Sequence, residues 1–277
     1  MMEPVLKVRN LTVKHQSRKG SASIVHGIDF EVMPGQCLGI LGESGSGKSM
    51  SLKSMMGLLD QSFTVTGEAM FQGENLIGKS REQLRKIRGK KIGMILQNPM
   101  TCFDPLYRID EQLGETYREH KNLSKAGILE QSEQVLTSMR ISNPGEVLKK
   151  YPHQLSGGML QRIMIGLAMS MEPDLIIADE PTTAIDAVTQ YEIMKEFVRI
   201  KKLHKTSMIF ISHDLGVISA ISDEVLVLNQ GNVADRGTFT QIYENPQDSY
   251  TRLLVEKKKA VMEKYHLAVH KKGGIGL

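Results

Sequence analysis

The chain has 277 residues, 40% of them hydrophobic and 24% charged, an ordinary globular composition with enough length to bury a sizeable core. Its net charge of +4 is modest, so a solvated basic face accounts for it and no nucleic-acid partner is expected. Two cysteines, Cys37 and Cys102, lie far apart with no CxxC spacing, which excludes a disulfide framework, a dithiol redox motif and a cysteine zinc site and fits a reducing cytosol.

In chain order, the opening MMEPVLKVRNLTV carries an early acid and no unbroken apolar stretch, so a secretory leader is not expected. Residues 5 to 41 place Val, Leu and Ile at alternating positions, with Gly20, Gly27, Pro34 and Gly35 as punctuation, and this predicts short strands and turns. Gln36 to Leu41 reads as a strand buried on both faces. A glycine-rich loop follows, then helical spacing from Ser49 to Leu59. Residues 79 to 91 are strongly basic with a helical pattern, Ile92 to Leu96 reads as a strand ending in Gln97, and 105 to 150 reads as a mostly helical insertion. The apolar run around Ile163 to Met171 falls short of the roughly 18 residues of a membrane span, so service to a membrane would run through partners. Strands resume at Leu175 to Ala178 and Ser207 to Ile211. Strands alternating with helices predict a largely parallel sheet covered on both faces. The tail is basic, with KKK at 257–259 and KKGG at 271–274, and is expected to be a helix that frays.

Gly42-Glu43-Ser44-Gly45-Ser46-Gly47-Lys48-Ser49 fits the G-x-x-x-x-G-K-[ST] pattern between a strand and a helix. Its glycines let backbone N–H groups curl around phosphate oxygens at a helix N-terminus. Lys48 is placed to reach the β- and γ-phosphates and Ser49 to put its hydroxyl on Mg²⁺. Leu175 to Glu180 is an apolar strand closing on two adjacent carboxylates; strand alternation directs their side chains differently, so Asp179 would hold Mg²⁺ and Glu180 would deprotonate the attacking water. Alone, such an Asp-Glu end marks only a sheet edge, and its meaning comes from the loop upstream. His213 follows the next strand; in a parallel sheet that end lies beside the phosphate loop, which makes it a γ-phosphate contact rather than a structural histidine. Ser156-Gly157-Gly158 leads into a helical run and so forms a second anion-binding helix start, although these residues in isolation would read as an ordinary cap.

Together these residues resemble the ATP-binding subunits of ABC transporters: Walker A at Gly42–Ser49, the Q-loop at Gln97, the signature at Leu155–Met159, Walker B at Leu175–Glu180, the D-loop Ala184-Ile185-Asp186 and the switch histidine His213. The resemblance implies an α/β fold with a RecA-like P-loop NTPase core, an N-terminal antiparallel β subdomain and an inserted helical subdomain. Its divisions are 1–97 for the β subdomain and P-loop core, 98–165 for the helices, 166–240 for the second half of the core and 241–277 for a C-terminal helical extension. It implies ATP as cofactor, with Mg²⁺ at Ser49, Gln97 and Asp179, and a head-to-tail pair of such subunits, homodimer or heterodimer. In that pair Ser156, Gly157 and Gly158 close over the partner's nucleotide. Two transmembrane permease subunits and, indirectly, an extracytoplasmic solute-binding protein complete the assembly, which places the chain peripherally on the cytoplasmic face of the membrane. The position that would stack on adenine holds His15, a looser platform than an aromatic residue.

Within the family, the stretch Gln97 to Pro105, SGGMLQR at 156–162, IIADEPTT at 176–183 and Asn245 to Arg252 are similar to the importers of peptides and nickel. With Ile24-Val25-His26-Gly27 they lie nearest the nickel-import ATP-binding subunits. Peptide-importing members often carry a C-terminal cysteine cluster; no cysteine follows Cys102 and the tail ends at Leu277, so a metal or metal-chelate cargo is expected over a di- or oligopeptide. Soluble ATPases of DNA maintenance need a long coiled coil or a zinc cluster between their phosphate motifs, and fewer than about sixty residues separate Gln97 from the signature here.

Overall fold

Two long strands open the chain, β1 (Leu6–Ser17) and β2 (Gly20–Val32), where the sequence predicts short ones. The computed structural model describes residues 3–17, 20–183, 185–204, 206–257 and 259. The pair runs antiparallel with irregularities between Val8 and Leu11, where Asn10 takes a left-handed φ of 47° opposite Gly27 at 71°. A Cβ on Gly27 would lie 2.6 Å from Asn10 Oδ1. What reads as a turn at Gly27 is therefore a bulge that shifts the alternation within continuous strands. β4 (Phe63–Phe71) and β5 (Glu74–Asn75) extend this sheet in the order β2-β1-β4-β5.

The second sheet contains β3 (Cys37–Leu41), β6 (Ile92–Ile95), β7 (Leu175–Asp179), β8 (Ser207–Ile211), β9 (Glu224–Asn229) and β10 (Asn232–Gly237), ordered β10-β9-β3-β8-β7-β6. All neighbours are parallel except β9 and β10. β3, β7 and β8 are buried at every residue, as a parallel sheet covered on both faces requires. Alternate residues feed two cores. Leu41, Ile176, Ala178, Met208 and Phe210 pack with the helices, whereas Leu38, Ile40, Ile177, Ile209 and Ile211 pack toward the antiparallel sheet. Each buried Leu, Ile or Phe contributes about 1.5–3 kcal/mol.

The basic stretch at 79–91 forms only a short helix, α2 (Arg81–Arg85), opened by a Ser80–Gln83 capping box. It stops because Gly89 turns the chain at φ 78° and Arg88 reaches across to the carbonyls of Met56 and Gly57. Between β6 and β7 stand α3 (Ile109–His120), α4 (Lys125–Ser138), α5 (Pro144–Leu148) and α6 (Gly157–Ser170), so the predicted helical insertion is present. Helix α1 (Lys48–Met55) leaves the phosphate loop, α7 (Ala187–His204) links β7 to β8, α8 (Leu215–Ile221) follows β8, and α9 (Phe239–Glu244) follows β10. The chain is again helical over 249–257. Ala184 of the expected D-loop and the KKGG stretch at 271–274 lie outside the described residues. Among the described residues no helix is long and apolar enough to cross a membrane.

Candidate nucleotide site

β3 ends at Leu41 and the chain enters the glycine-rich loop with Gly42 at φ 153°. A Cβ there would sit 2.4 Å from Leu228 O and 2.5 Å from Ser46 Oγ, so only glycine fits. Gly47 precedes α1 in the left-handed region at φ 99°, leaving the first N–H groups of α1 facing the cleft. That cleft is lined by residues 44–50, Gln97, Glu180 and Ile24.

Lys48 is 6% exposed. Its Nζ donates to Gly42 O at 2.9 Å, Glu43 O at 2.8 Å and Ser46 Oγ at 3.4 Å. Burial pulls its pKa down, while Glu180, Asp179 and Glu43 push it back up. Ser49 Oγ donates to Asp179 Oδ1 at 2.8 Å, which joins the loop to the end of β7. Asp179 is buried, and burial pushes its carboxyl above the ordinary range against the opposing pull of Ser49 and Lys53. A divalent cation there would relieve that penalty. A hydroxyl and a carboxylate are hard oxygen donors suited to Mg²⁺, which takes one or two protein ligands and fills its shell with water and phosphate oxygens. Among the described residues no three His, Cys, Asp or Glu side chains form a metal cage, so Ser49 and Asp179 fit an ion that arrives with phosphates.

The two acids diverge for a reason other than the predicted alternation. β7 ends at Asp179, and Glu180 leaves the strand in a left-handed conformation, φ 48°. Its N–H donates to Ile211 O at 3.0 Å. Its Oε2 then gathers Gln97 Nε2 at 3.0 Å, Thr183 Oγ1 at 3.1 Å and His213 Nδ1 at 3.4 Å. The structure thus brings Gln97, Glu180 and His213, three elements apart in sequence, onto one carboxylate oxygen.

Other expected residues lie elsewhere. His15 does not line the cleft; its ring packs against Phe63 with centroids 4.8 Å apart. Ser156 is exposed and caps α6, its Oγ accepting the Met159 N–H at 3.2 Å. None of Ser156, Gly157 and Gly158 lines this cleft, and a Cβ on Gly157 would meet nothing within 4 Å. Asp186 accepts the Thr189 N–H at 3.0 Å at the start of α7. Three participants are missed by reasoning from sequence. Ile24 of β2 reaches the cleft, and nothing in an apolar strand residue announces that. Thr183 touches Glu180 although it is only one hydroxyl of a Thr pair. Gln161 carried a readable signal, a long polar side chain inside the apolar run of α6. It is 1% exposed, and its Nε2 donates to Pro181 O at 2.9 Å and Leu96 O at 3.3 Å.

Comparison with known proteins agrees with this geometry. The model of the family described as ABC transporter matches residues 25–183. The metal-staphylopine import system ATP-binding protein CntD of Staphylococcus aureus is 41% identical over 258 residues, 92% of this chain and 95% of its own length. The dipeptide transport ATP-binding protein DppD of Bacillus subtilis is 43% identical over 256 residues, 92% of this chain and 76% of its own length. Among solved structures, the dimeric post-hydrolysis state of the ATP-binding cassette MJ0796 bound to ADP and Pi superposes with a TM-score of 0.77 at 24% identity. It covers 84% of this chain and 98% of that one, which establishes the cassette fold. A phosphate loop on a buried parallel sheet, a carboxylate ringed by Gln97, Thr183 and His213, and relatives matched over nine-tenths of the sequence lead to one assignment: the chain belongs to the ABC transporter family, as one of its ATP-hydrolysing subunits.

Proposed function

We propose that this chain powers the import of nickel, or of a related metal ion or metal chelate. The observation that carries the reading is the 41% identity with the metal-staphylopine subunit over 95% of that protein's length. SGGMLQR at 156–162 and IIADEPTT at 176–183 support it. The 43% identity with the dipeptide subunit favours a second reading, in which the cargo is a di- or oligopeptide.

In either case ATP would lie along residues 42–49 with Lys48 on the β- and γ-phosphates, and Ser49, Asp179 and Gln97 would hold Mg²⁺. Bound there, Mg²⁺ would neutralise charge on the transferring phosphoryl group. Glu180 takes the proton of the attacking water, and His213, which shares its Oε2, contacts the γ-phosphate. His15, which lies outside the phosphate cleft with its ring against Phe63, would offer the adenine a loose platform beyond that cleft. A second ATP-binding subunit, identical or not, packs head to tail so that Ser156, Gly157 and Gly158 close over the partner's nucleotide. The Gln97 segment and the helices of 98–165 face two permease subunits, which hold the chain on the cytoplasmic side of the membrane and receive cargo from a solute-binding protein.

Deleting the gene is expected to lower cellular nickel or cobalt under metal limitation and to leave growth on di- and oligopeptides unchanged. Elemental analysis and peptide-dependent growth check this. Lost peptide uptake at normal metal content would reverse the cargo and leave the ATPase intact.

A further inference from the structure

The stretch Asn245 to Arg252 stands out in the sequence but has no part in the nucleotide chemistry above. Its fold shows what it holds. A bulge between Val233 and Asp235 of β10 turns Asp235 inward, to 8% exposure. Asp235 Oδ2 accepts the N–H groups of Gln247 at 2.8 Å and Asp248 at 3.2 Å, and Oδ1 accepts that of Arg236 at 2.9 Å. Asp248 Oδ1 in turn accepts the N–H groups of Tyr250 at 2.8 Å and Thr251 at 3.3 Å, which starts the helix of 249–257. Thr251 at 0% and Val255 at 2% exposure anchor that helix in the core. Tyr250 is thereby fixed from its backbone, its ring packs on the core, and its phenolic oxygen accepts the N–H of Glu43 at 2.9 Å.

Glu43 is the second residue of the phosphate loop, and its other backbone group is also engaged. Its carbonyl accepts Lys48 Nζ at 2.8 Å and the Ser46 N–H at 3.2 Å. The backbone of one residue, through its two flanking peptide groups, therefore joins the C-terminal helix to the loop's turn and to its lysine. Lys257 adds an ion pair with Glu43 at 3.4 Å, but both side chains are more than half exposed, so that pair contributes little.

We infer that Tyr250 is a positioning residue of the nucleotide site: its bond to the Glu43 N–H fixes the entry of the phosphate loop, so that the N–H groups from Ser44 onward are already arranged for phosphate. Preorganisation of this kind shows as affinity, because less ordering remains to be done on binding. The inference rests on the assignment of Gly42–Ser49 as the nucleotide loop.

Tyr250→Phe keeps the ring and removes the acceptor. In the purified full chain it should raise the equilibrium Kd for ATP and for ADP, each with Mg²⁺, about fivefold, the size of one net hydrogen bond. In the assembled transporter the ATP KM should rise with kcat retained. A packing role alone would lower the melting temperature and the active fraction but leave the Kd of the folded protein at the wild-type value, and that result overturns the inference. Glu43→Pro removes the donor from the other end and should also raise Kd. In its background Tyr250→Phe should change nothing further, and a full fivefold loss in both backgrounds sinks the proposal. Should Tyr250→Phe fail to fold, Glu43→Pro alone reads the bond, and an unchanged Kd overturns it. Lys48→Ala tests the loop assignment separately: wild-type binding there would remove the premise, whereas failure of Tyr250→Phe alone would leave it standing.

Discussion

Glu180 sits where a carboxylate is costly to place. Its left-handed φ of 48° costs an L-residue about 1–2 kcal/mol, and strain of this kind persists where surrounding bonds over-determine it. Here they do: the Glu180 N–H is tied to β8 through Ile211 O, and its Oε2 to Gln97, Thr183 and His213. Those contacts aim the side chain away from Asp179, which is bound to Ser49, so the two neighbours keep separate tasks. Glu180→Gln retains the shape and most of the hydrogen bonding but removes the basic oxygen. It should bind nucleotide with Mg²⁺ as the wild type does and lose hydrolysis by about 10²–10⁴-fold, the usual contribution of a general base. Phosphate release from the assembled transporter measures this; near-normal turnover would show that Glu180 is not the base.

Helix α6 shows how one element serves two places. Its N-terminus is the exposed Ser156 cap, and little more than one turn later Gln161 is buried with its amide bridging Pro181 O and Leu96 O. Those carbonyls adjoin Glu180 on one side and Gln97 on the other, so movement of α6 reaches both ends of the Gln97–Glu180 bond. Gln161→Leu fills the same space but leaves the buried Pro181 carbonyl and the half-buried Leu96 carbonyl without that donor, a cost of about 1–3 kcal/mol. The melting temperature should fall by about 2–4 °C per kcal/mol, and hydrolysis should fall further than nucleotide affinity does. Equal losses in the two, at any melting temperature, would refute a role at the site. The legibility of the elements follows the same physics. β3, β7 and β8 were readable because strands buried on both faces are unbroken apolar runs, and the phosphate loop because Gly42 admits no side chain. β4, β9 and β10 gave no clear signal: Gly67 interrupts the first, and the other two are short strands joined by a tight turn. Convergence on Glu180 Oε2 was hidden altogether, since it depends on a backbone angle rather than on strand alternation.

At the scale of the whole molecule, the chain carries two glycine-bearing helix starts that do not meet. The loop at Gly42–Ser49 has its own lysine and the Ser49–Asp179 pair, whereas Ser156 to Gly158 lie outside that cleft, exposed or half-exposed, with open space at Gly157. The positive end of this 14-residue helix meets no phosphate-binding residue of that cleft among the described residues, so in the proposed pair it would serve as an anion site for a phosphate from elsewhere. In the head-to-tail pair proposed above a second subunit would supply one, and each nucleotide would then touch both chains. Ser156→Arg places bulk and a long side chain at that junction. The isolated subunit should bind ATP with unchanged Kd, because its own loop is intact, although losing the cap costs about 1 kcal/mol of helix stability. Hydrolysis by the complex should be abolished, because the arginine stands in the partner's phosphate site. Ser156→Gly separates the two effects: it weakens the cap by only a few tenths of a kcal/mol and adds no bulk, so it should lower hydrolysis far less than Ser156→Arg does. If isolated monomers hydrolyse ATP at the full rate and Ser156→Arg changes nothing, the two helix starts do not act on one nucleotide and the shared site is wrong.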